Sequence, residues 1–93
     1  MQRARAYLLI SGRVQGVYYR AFTRDIAGHL GLSGWVRNLE NGSVEALLEG
    51  SKEHIEQAIA HCRMGPPGAR VEDIGVTWED YKGDIPGFQI RYW

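Results

Sequence analysis

The stretch around which this chain is organised is Ser11-Gly12-Arg13-Val14-Gln15-Gly16-Val17-Tyr18-Tyr19-Arg20. An apolar run at residues 7–10 precedes it and predicts a β-strand, and apolar residues at helical spacing (Phe22, Ile26, Leu30) follow it. The stretch is therefore a strand-to-helix loop, whose backbone N–H groups and helix N-terminus favour a bound anion. Arg13 and Arg20 can each contact a phosphate or carboxylate with two N–H groups. The spacing and the lysine of a P-loop are absent.

Composition restricts the class of protein. With 93 residues the chain is expected to form one domain, 1–93, with one hydrophobic core. The 11 basic and 11 acidic residues balance, which argues against a nucleic-acid or membrane-surface partner. Cys62 is the only cysteine, so an internal disulfide is excluded and a cytoplasmic location is expected. The sequence contains neither a signal peptide nor an apolar run of the ~18 residues that a membrane span needs.

The rest of the chain predicts a β-hairpin, a second helix and two further strands. Asn41-Gly42 separates two strand-like runs, at about residues 34–39 and 43–49, and predicts a β-hairpin. Helix two follows Ser51 with an apolar stripe (Ile55, Ala58, Ile59, Cys62), and strands at about 71–78 and 88–92 complete the chain. The order β-α-β-β-α-β, plus a short last strand, predicts an α+β ferredoxin-like sandwich: an antiparallel sheet with two helices on one face.

Three blocks of this sequence resemble the acylphosphatase family. They are Gly12–Arg20, the segment Gly34-Trp35-Val36-Arg37-Asn38 with Asn41–Glu45 after it, and the ending Phe88–Tyr92. The similarity covers essentially the whole chain at the usual length of the family. An acylphosphatase-like module also begins the carbamoyltransferase of hydrogenase maturation, but the one-domain length favours a free-standing acylphosphatase.

The resemblance implies hydrolysis of the carboxyl–phosphate bond of acyl phosphates, with no metal, no cofactor and no covalent intermediate. Arg20 would bind the phosphate together with backbone N–H groups of the loop (Gln15, Gly16, Val17, Tyr18, Tyr19), and Asn38 would orient the attacking water. Gly12 and Arg13 would support the loop. The expected partners are a small acyl phosphate and inorganic phosphate, and the protein is expected to be a monomer.

These residue types suit phosphoryl transfer, which needs positioning and charge neutralisation more than covalent chemistry. One preorganised oxyanion donor lowers a barrier by roughly 3–4 kcal/mol. The Asn38 amide cannot accept a proton near pH 7, although it can hold a water. The proton acceptor is left open, and the substrate phosphate is one candidate. The side chains of Gln15, Val17 and Tyr18 are expected to be replaceable, because these residues would act through their backbone.

Other interpretations remain at this stage. By itself, Arg20 is typical of a helix surface and Asn38 of a turn. A non-catalytic ligand-binding domain of the same fold could keep the anion loop. An RNA-binding RRM is disfavoured, because its RNP1 signature is missing and the net charge is zero. The three histidines have no ligand spacing, so no metal site is predicted.

Overall fold

The computed structural model describes residues 2–92. The secondary structure has the predicted order, with a fifth strand at the end. The elements are β1 (Arg3–Arg13), α1 (Tyr19–His29), β2 (Ser33–Asn38), β3 (Val44–Ser51), α2 (Lys52–Met64), β4 (Arg70–Glu79) and β5 (Phe88–Arg91). β1 is longer at both ends than its apolar run, because it pairs with a strand on each side.

The strands form one sheet in the order β4-β1-β3-β2-β5. The first four pair antiparallel, as predicted, and β5 adds a parallel pair with β2, so the sheet is mixed. β4 and β5 occupy opposite edges, so residues 80–87 carry the chain across the sheet. Arg37 lies opposite Arg91 in the β2–β5 register. The next residues, Asn38 and Tyr92, consequently reach the same end of the sheet.

The core lies between the sheet and the two helices. Alternate residues of β1 are buried, and the predicted stripe of α2 is buried throughout. The buried line of α1 is Tyr19, Thr23 and Ala27, one residue away from the stripe predicted by the sequence. The shift occurs because the Tyr19 side chain enters the core, where its hydroxyl donates to the Cys62 carbonyl at 2.7 Å. Ile26 packs at the margin of this core.

The opposite face of the sheet buries two carboxylates. Glu45 and Glu49 alternate with the apolar residues of β3, and both are buried. Glu49 accepts a hydrogen bond from the Lys82 backbone N–H at 2.8 Å and pairs with Arg5 at 3.4 Å, so the crossing segment lies over β3. Glu45 pairs with Arg37 and accepts a hydrogen bond from the hydroxyl of Tyr7. The hydrogen bond from Tyr7 to Glu45 raises the Tyr7 pKa to about 12. Glu49 thus ties the crossing segment to the sheet, and Glu45 links β3 to β1 and β2.

Neither α1 nor α2, the two helices found in residues 2–92, is long and apolar enough to cross a membrane.

Candidate active site

The loop that leads from β1 to α1, residues 12–18, is the one predicted to bind an anion and is called the anion loop below. It begins at a β-bulge in β1. The pairing of β1 with β4 shifts between Ser11 and Gly12, and Gly12 has φ of 121°. A Cβ on Gly12 would lie 2.1 Å from the carbonyl oxygen of Arg70, so only glycine fits this position. The predicted supporting role of Gly12 therefore has a steric basis: it lets β1 bend against β4 and enter the loop.

The loop ends at Tyr18, the residue before α1. Tyr18 has left-handed backbone angles, φ 66° and ψ 17°, and its side chain is 85% exposed. Such a conformation is uncommon for a residue other than glycine and is concentrated at functional sites. Within the described chain, α1 has neither a side-chain cap nor an acidic residue in its first turn. The N–H groups at this helix start are therefore available to an external anion.

A cleft of about 460 Å³ lies beside this helix start. Its lining is drawn from the loop, α1, the end of β2 and the C-terminal segment: Val14, Gly16, Tyr18, Tyr19, Arg20, Ala21, Arg24, Asn38, Ile90 and Tyr92. The cleft thus brings together the two predicted catalytic residues, Arg20 and Asn38, with three of the predicted loop residues. Arg13 does not line it; this side chain is exposed at the end of β1, opposite Arg70.

Arg20 lies half-buried in the first turn of α1. Its guanidinium carbon is 5.0 Å from the ring centre of Tyr92. A cation–π contact of this kind uses the flat face of the guanidinium. The N–H groups of the guanidinium lie in its plane and remain able to donate hydrogen bonds. No carboxylate among residues 2–92 lies within 4.0 Å of Arg20. The edges of this guanidinium are therefore free to donate to an anion in the cleft.

Asn38 is the last residue of β2. Its side-chain oxygen, Oδ1, is buried and accepts no hydrogen bond from any described residue. A buried acceptor without a partner costs about 1–3 kcal/mol, and such groups in native proteins call for an explanation. Asn38 is also one of the residues that line the cleft.

Gln15 and Val17, the other two predicted loop residues, do not line the cleft. The Gln15 amide nitrogen donates to the carbonyl oxygens of Leu39 at 2.7 Å and Ser43 at 2.8 Å. Both carbonyls belong to the turn of the β2–β3 hairpin, Leu39 as its first residue and Ser43 as its last. The expectation that the Gln15 side chain is replaceable conflicts with these bonds, because it ties the anion loop to the hairpin. Val17 packs against the core.

Sequence reasoning missed two polar residues of the cleft, Arg24 and Tyr92. Arg24 follows Arg20 by four residues, a spacing that places both on one helix face and could have identified it. Tyr92 had no such local signal, because its position depends on the pairing of β5 with β2.

The described part of the chain contains neither a cluster of metal ligands nor a reactive thiol. Residues 2–92 contain no group of three or more His, Cys, Asp or Glu arranged to hold a metal ion. Cys62 is fully buried, and burial raises the pKa of its thiol, so it behaves as a core residue.

Fold and cleft together define a small α+β protein with a cleft at a helix N-terminus, the kind of place where anions bind. The family model described as acylphosphatase matches residues 6–90. An acylphosphatase of Pelotomaculum thermopropionicum is 48% identical over 92 residues, covering 99% of this chain and 100% of its own length. One of Aeropyrum pernix is 54% identical over 89 residues, covering 95% and 88%. The crystal structure of acylphosphatase from Bacillus subtilis superposes with a TM-score of 0.93 at 34% identity, covering 96% and 99%. The chain belongs to the acylphosphatase family.

As a member of that family, the protein is an enzyme that hydrolyses acyl phosphates. The predictions of the family and of the ferredoxin-like fold are confirmed.

Replacing Gln15 by alanine should loosen the anion loop from the hairpin. Gln15→Ala removes one hydrogen bond from each of the Leu39 and Ser43 carbonyls, which keep their backbone N–H donors. At about 0.5–1.5 kcal/mol for each lost bond, we expect the free energy of unfolding to fall by about 1–3 kcal/mol. We expect kcat to fall about tenfold, because small displacements of positioned groups are costly in catalysis. Urea unfolding and steady-state kinetics measure the two effects. Gln57→Ala, at an exposed position of α2, is the matched control; an equal loss in both variants would contradict a specific role for Gln15.

Proposed function

We propose that the cleft cleaves acyl phosphates by direct attack of water on phosphorus. In this proposal Arg20 and the backbone N–H groups of residues 15–19 hold the phosphate, and Asn38 holds the water. The observation that carries it is that one cleft is lined by Arg20, by the start of α1 and by Asn38, whose buried side-chain oxygen has no partner among the described residues. Gly12 and Arg13 support the loop from outside the cleft.

Electrostatics favour a phosphate dianion in this cleft. Its lining includes two guanidinium groups, those of Arg20 and Arg24, and no acidic side chain among the described residues. The N-terminus of α1 adds about half a positive charge. Preorganised donors of this kind stabilise the charge that develops on the transferring phosphoryl group.

The reaction needs one bond formed and one broken. The oxygen of the water attacks phosphorus, and the bond between phosphorus and the acyl oxygen breaks. The bonding electrons leave with the acyl group, which departs as a carboxylate. Asn38 accepts a hydrogen bond from the water and aligns it, since an amide cannot take the proton near pH 7. No His, Asp or Glu among the described residues lines the cleft, so we assign the proton to a phosphate oxygen of the substrate.

We further propose that the protein acts as one domain, 1–93, as a monomer and in the cytoplasm. One chain brings Arg20, Asn38 and the start of α1 to the same cleft, so the proposed site needs no residue from a second chain. Light scattering coupled to gel filtration measures the oligomeric state.

Release of phosphate from benzoyl phosphate tests the proposed function. We expect rapid turnover of this mixed anhydride and no turnover of phenyl phosphate, whose phenoxide is a much poorer leaving group. A protein that binds inorganic phosphate but releases none from benzoyl phosphate would be the non-catalytic domain considered above.

Excess EDTA should leave the rate unchanged. Backbone N–H groups and Arg20 meet the phosphate charge in this mechanism, so it requires no divalent ion. The rate with benzoyl phosphate is compared before and after chelation. Loss of turnover with EDTA, restored by Mg²⁺ or Zn²⁺, would contradict the mechanism.

A further inference from the structure

We propose that Arg24 is a specificity-determining residue, which favours acyl phosphates carrying a second anionic group, a carboxylate, on the acyl chain. The inference rests on the proposed function, because it concerns the part of the same cleft that the phosphate does not use.

The cleft is lined by more residues than the phosphate and the water need. The loop backbone, Arg20 and Asn38 serve the phosphate and the water. The remaining lining includes the exposed ring of Tyr18, the half-buried Ile90, Tyr92 and Arg24. These residues provide an apolar wall with one further cation, and the acyl group is the only part of the substrate left to occupy it.

Arg24 lies one helical turn beyond Arg20. Residues four apart are neighbours on one helix face, with their positions about 6 Å apart along the axis. Two cations at this spacing repel each other unless an anion lies between or beside them. An acyl phosphate that places its phosphate at Arg20 and a carboxylate several atoms away would satisfy both guanidinium groups.

Arg24 has a weak partner within the protein. Its side chain is 49% exposed, and its Nε atom lies 3.4 Å from a carboxylate oxygen of the adjacent Asp25, which is itself 72% exposed. No other carboxylate among residues 2–92 lies within 4.0 Å of Arg24. Exposed pairs of this kind contribute little, so a substrate carboxylate can replace Asp25.

Three substrates with the same aromatic acyl group isolate the effect of charge. They are benzoyl phosphate, 4-carboxybenzoyl phosphate and 4-carbamoylbenzoyl phosphate, of which the last matches the carboxylate in shape but is neutral. For the wild-type protein we expect kcat/KM for the carboxylate to exceed that for the carboxamide about two- to fivefold at low ionic strength, as expected for an exposed ion pair. The ratio should decrease with added salt.

Variants at Arg24 and its neighbour test the assignment. Arg24→Gln should bring the carboxylate-to-carboxamide ratio close to one, and Arg24→Glu should invert it. Asp25→Asn removes the competing carboxylate and should raise the ratio, a gain that damage to the fold would not produce. Arg63→Gln, at an exposed position of α2, changes the net charge equally and should leave the ratio as in the wild type.

Several results would overturn the inference. A wild-type ratio of one, or a ratio that survives Arg24→Gln, would show that Arg24 does not meet the acyl group. A uniform loss for all three substrates, with weaker inhibition by inorganic phosphate, would assign Arg24 to the phosphate site instead. If the wild type hydrolyses none of the three, the proposed function fails and this inference fails with it; equal turnover of all three contradicts this inference alone.

Discussion

Arg20→Lys should lower kcat/KM by about 10²–10³, comparable to the loss of an oxyanion donor in other enzymes. Lysine keeps the positive charge but loses the planar pair of N–H donors that fits two phosphate oxygens. It also loses the flat face that lies against the ring of Tyr92, 5.0 Å away in the wild type. Inorganic phosphate, a competitive inhibitor in this mechanism, should therefore bind much more weakly.

Kinetics with benzoyl phosphate and calorimetric titration with inorganic phosphate measure the two effects of Arg20→Lys. Arg63→Lys is the matched control, because Arg63 is exposed on α2 and outside the cleft. Normal phosphate affinity in Arg20→Lys would remove Arg20 from the phosphate site. Arg24 would then be the next candidate, since it lines the cleft and Arg13 does not.

Asn38→Ala should separate catalysis from binding. Asn38 handles the water in the proposed mechanism, so its loss affects the transition state and spares the bound phosphate. We expect kcat to fall by about 10²–10³, whereas the affinity for inorganic phosphate should stay within a few-fold of the wild type. Asn38→Asp should also be inactive, because a carboxylate there would repel the phosphate dianion across a short distance.

The alternative for Asn38 is a purely structural role next to the hairpin turn. Asn41→Ala is the appropriate control, because Asn41 lies in that turn and its side-chain oxygen accepts a hydrogen bond from the Ser43 backbone N–H at 3.0 Å. The control should lose some stability and keep its turnover. Normal turnover in Asn38→Ala, with circular dichroism confirming the fold, would leave Asn38 a structural residue and require another group to position the water.

Local signals in the sequence were sufficient where the interaction itself is local. The Asn41-Gly42 hairpin formed as predicted, because the Asn41 side chain and the backbone freedom of glycine act within the turn. The apolar stripe of α2 was buried as predicted, since helical periodicity alone decides which side chains share a face. Gly31 follows α1 with φ of 69°, the left-handed position at which helices commonly end.

The pattern of apolar and charged residues gave the wrong burial where a long-range contact outweighed it. The buried line of α1 differs from its predicted stripe by one residue, because Tyr19 donates its hydroxyl hydrogen bond to the carbonyl of Cys62 on the other helix. Glu49 belongs to the charged face of β3 in the sequence pattern. Glu49 is nevertheless fully buried, and its Oε2 atom accepts from the Lys82 and Gly83 N–H groups of the crossing segment and pairs with Arg5.

The sequence by itself determined the order of elements, the loop between β1 and α1 and the position of Arg20 at a helix start. All of these depend on residues that are neighbours in the chain or one helical turn apart. Only the tertiary structure decided that Asn38 meets this loop and that Tyr92 lies against Arg20. The physical reason is the pairing of strands distant in sequence: β5 joins β2 in parallel register, and the Gln15 side chain ties the loop to the hairpin.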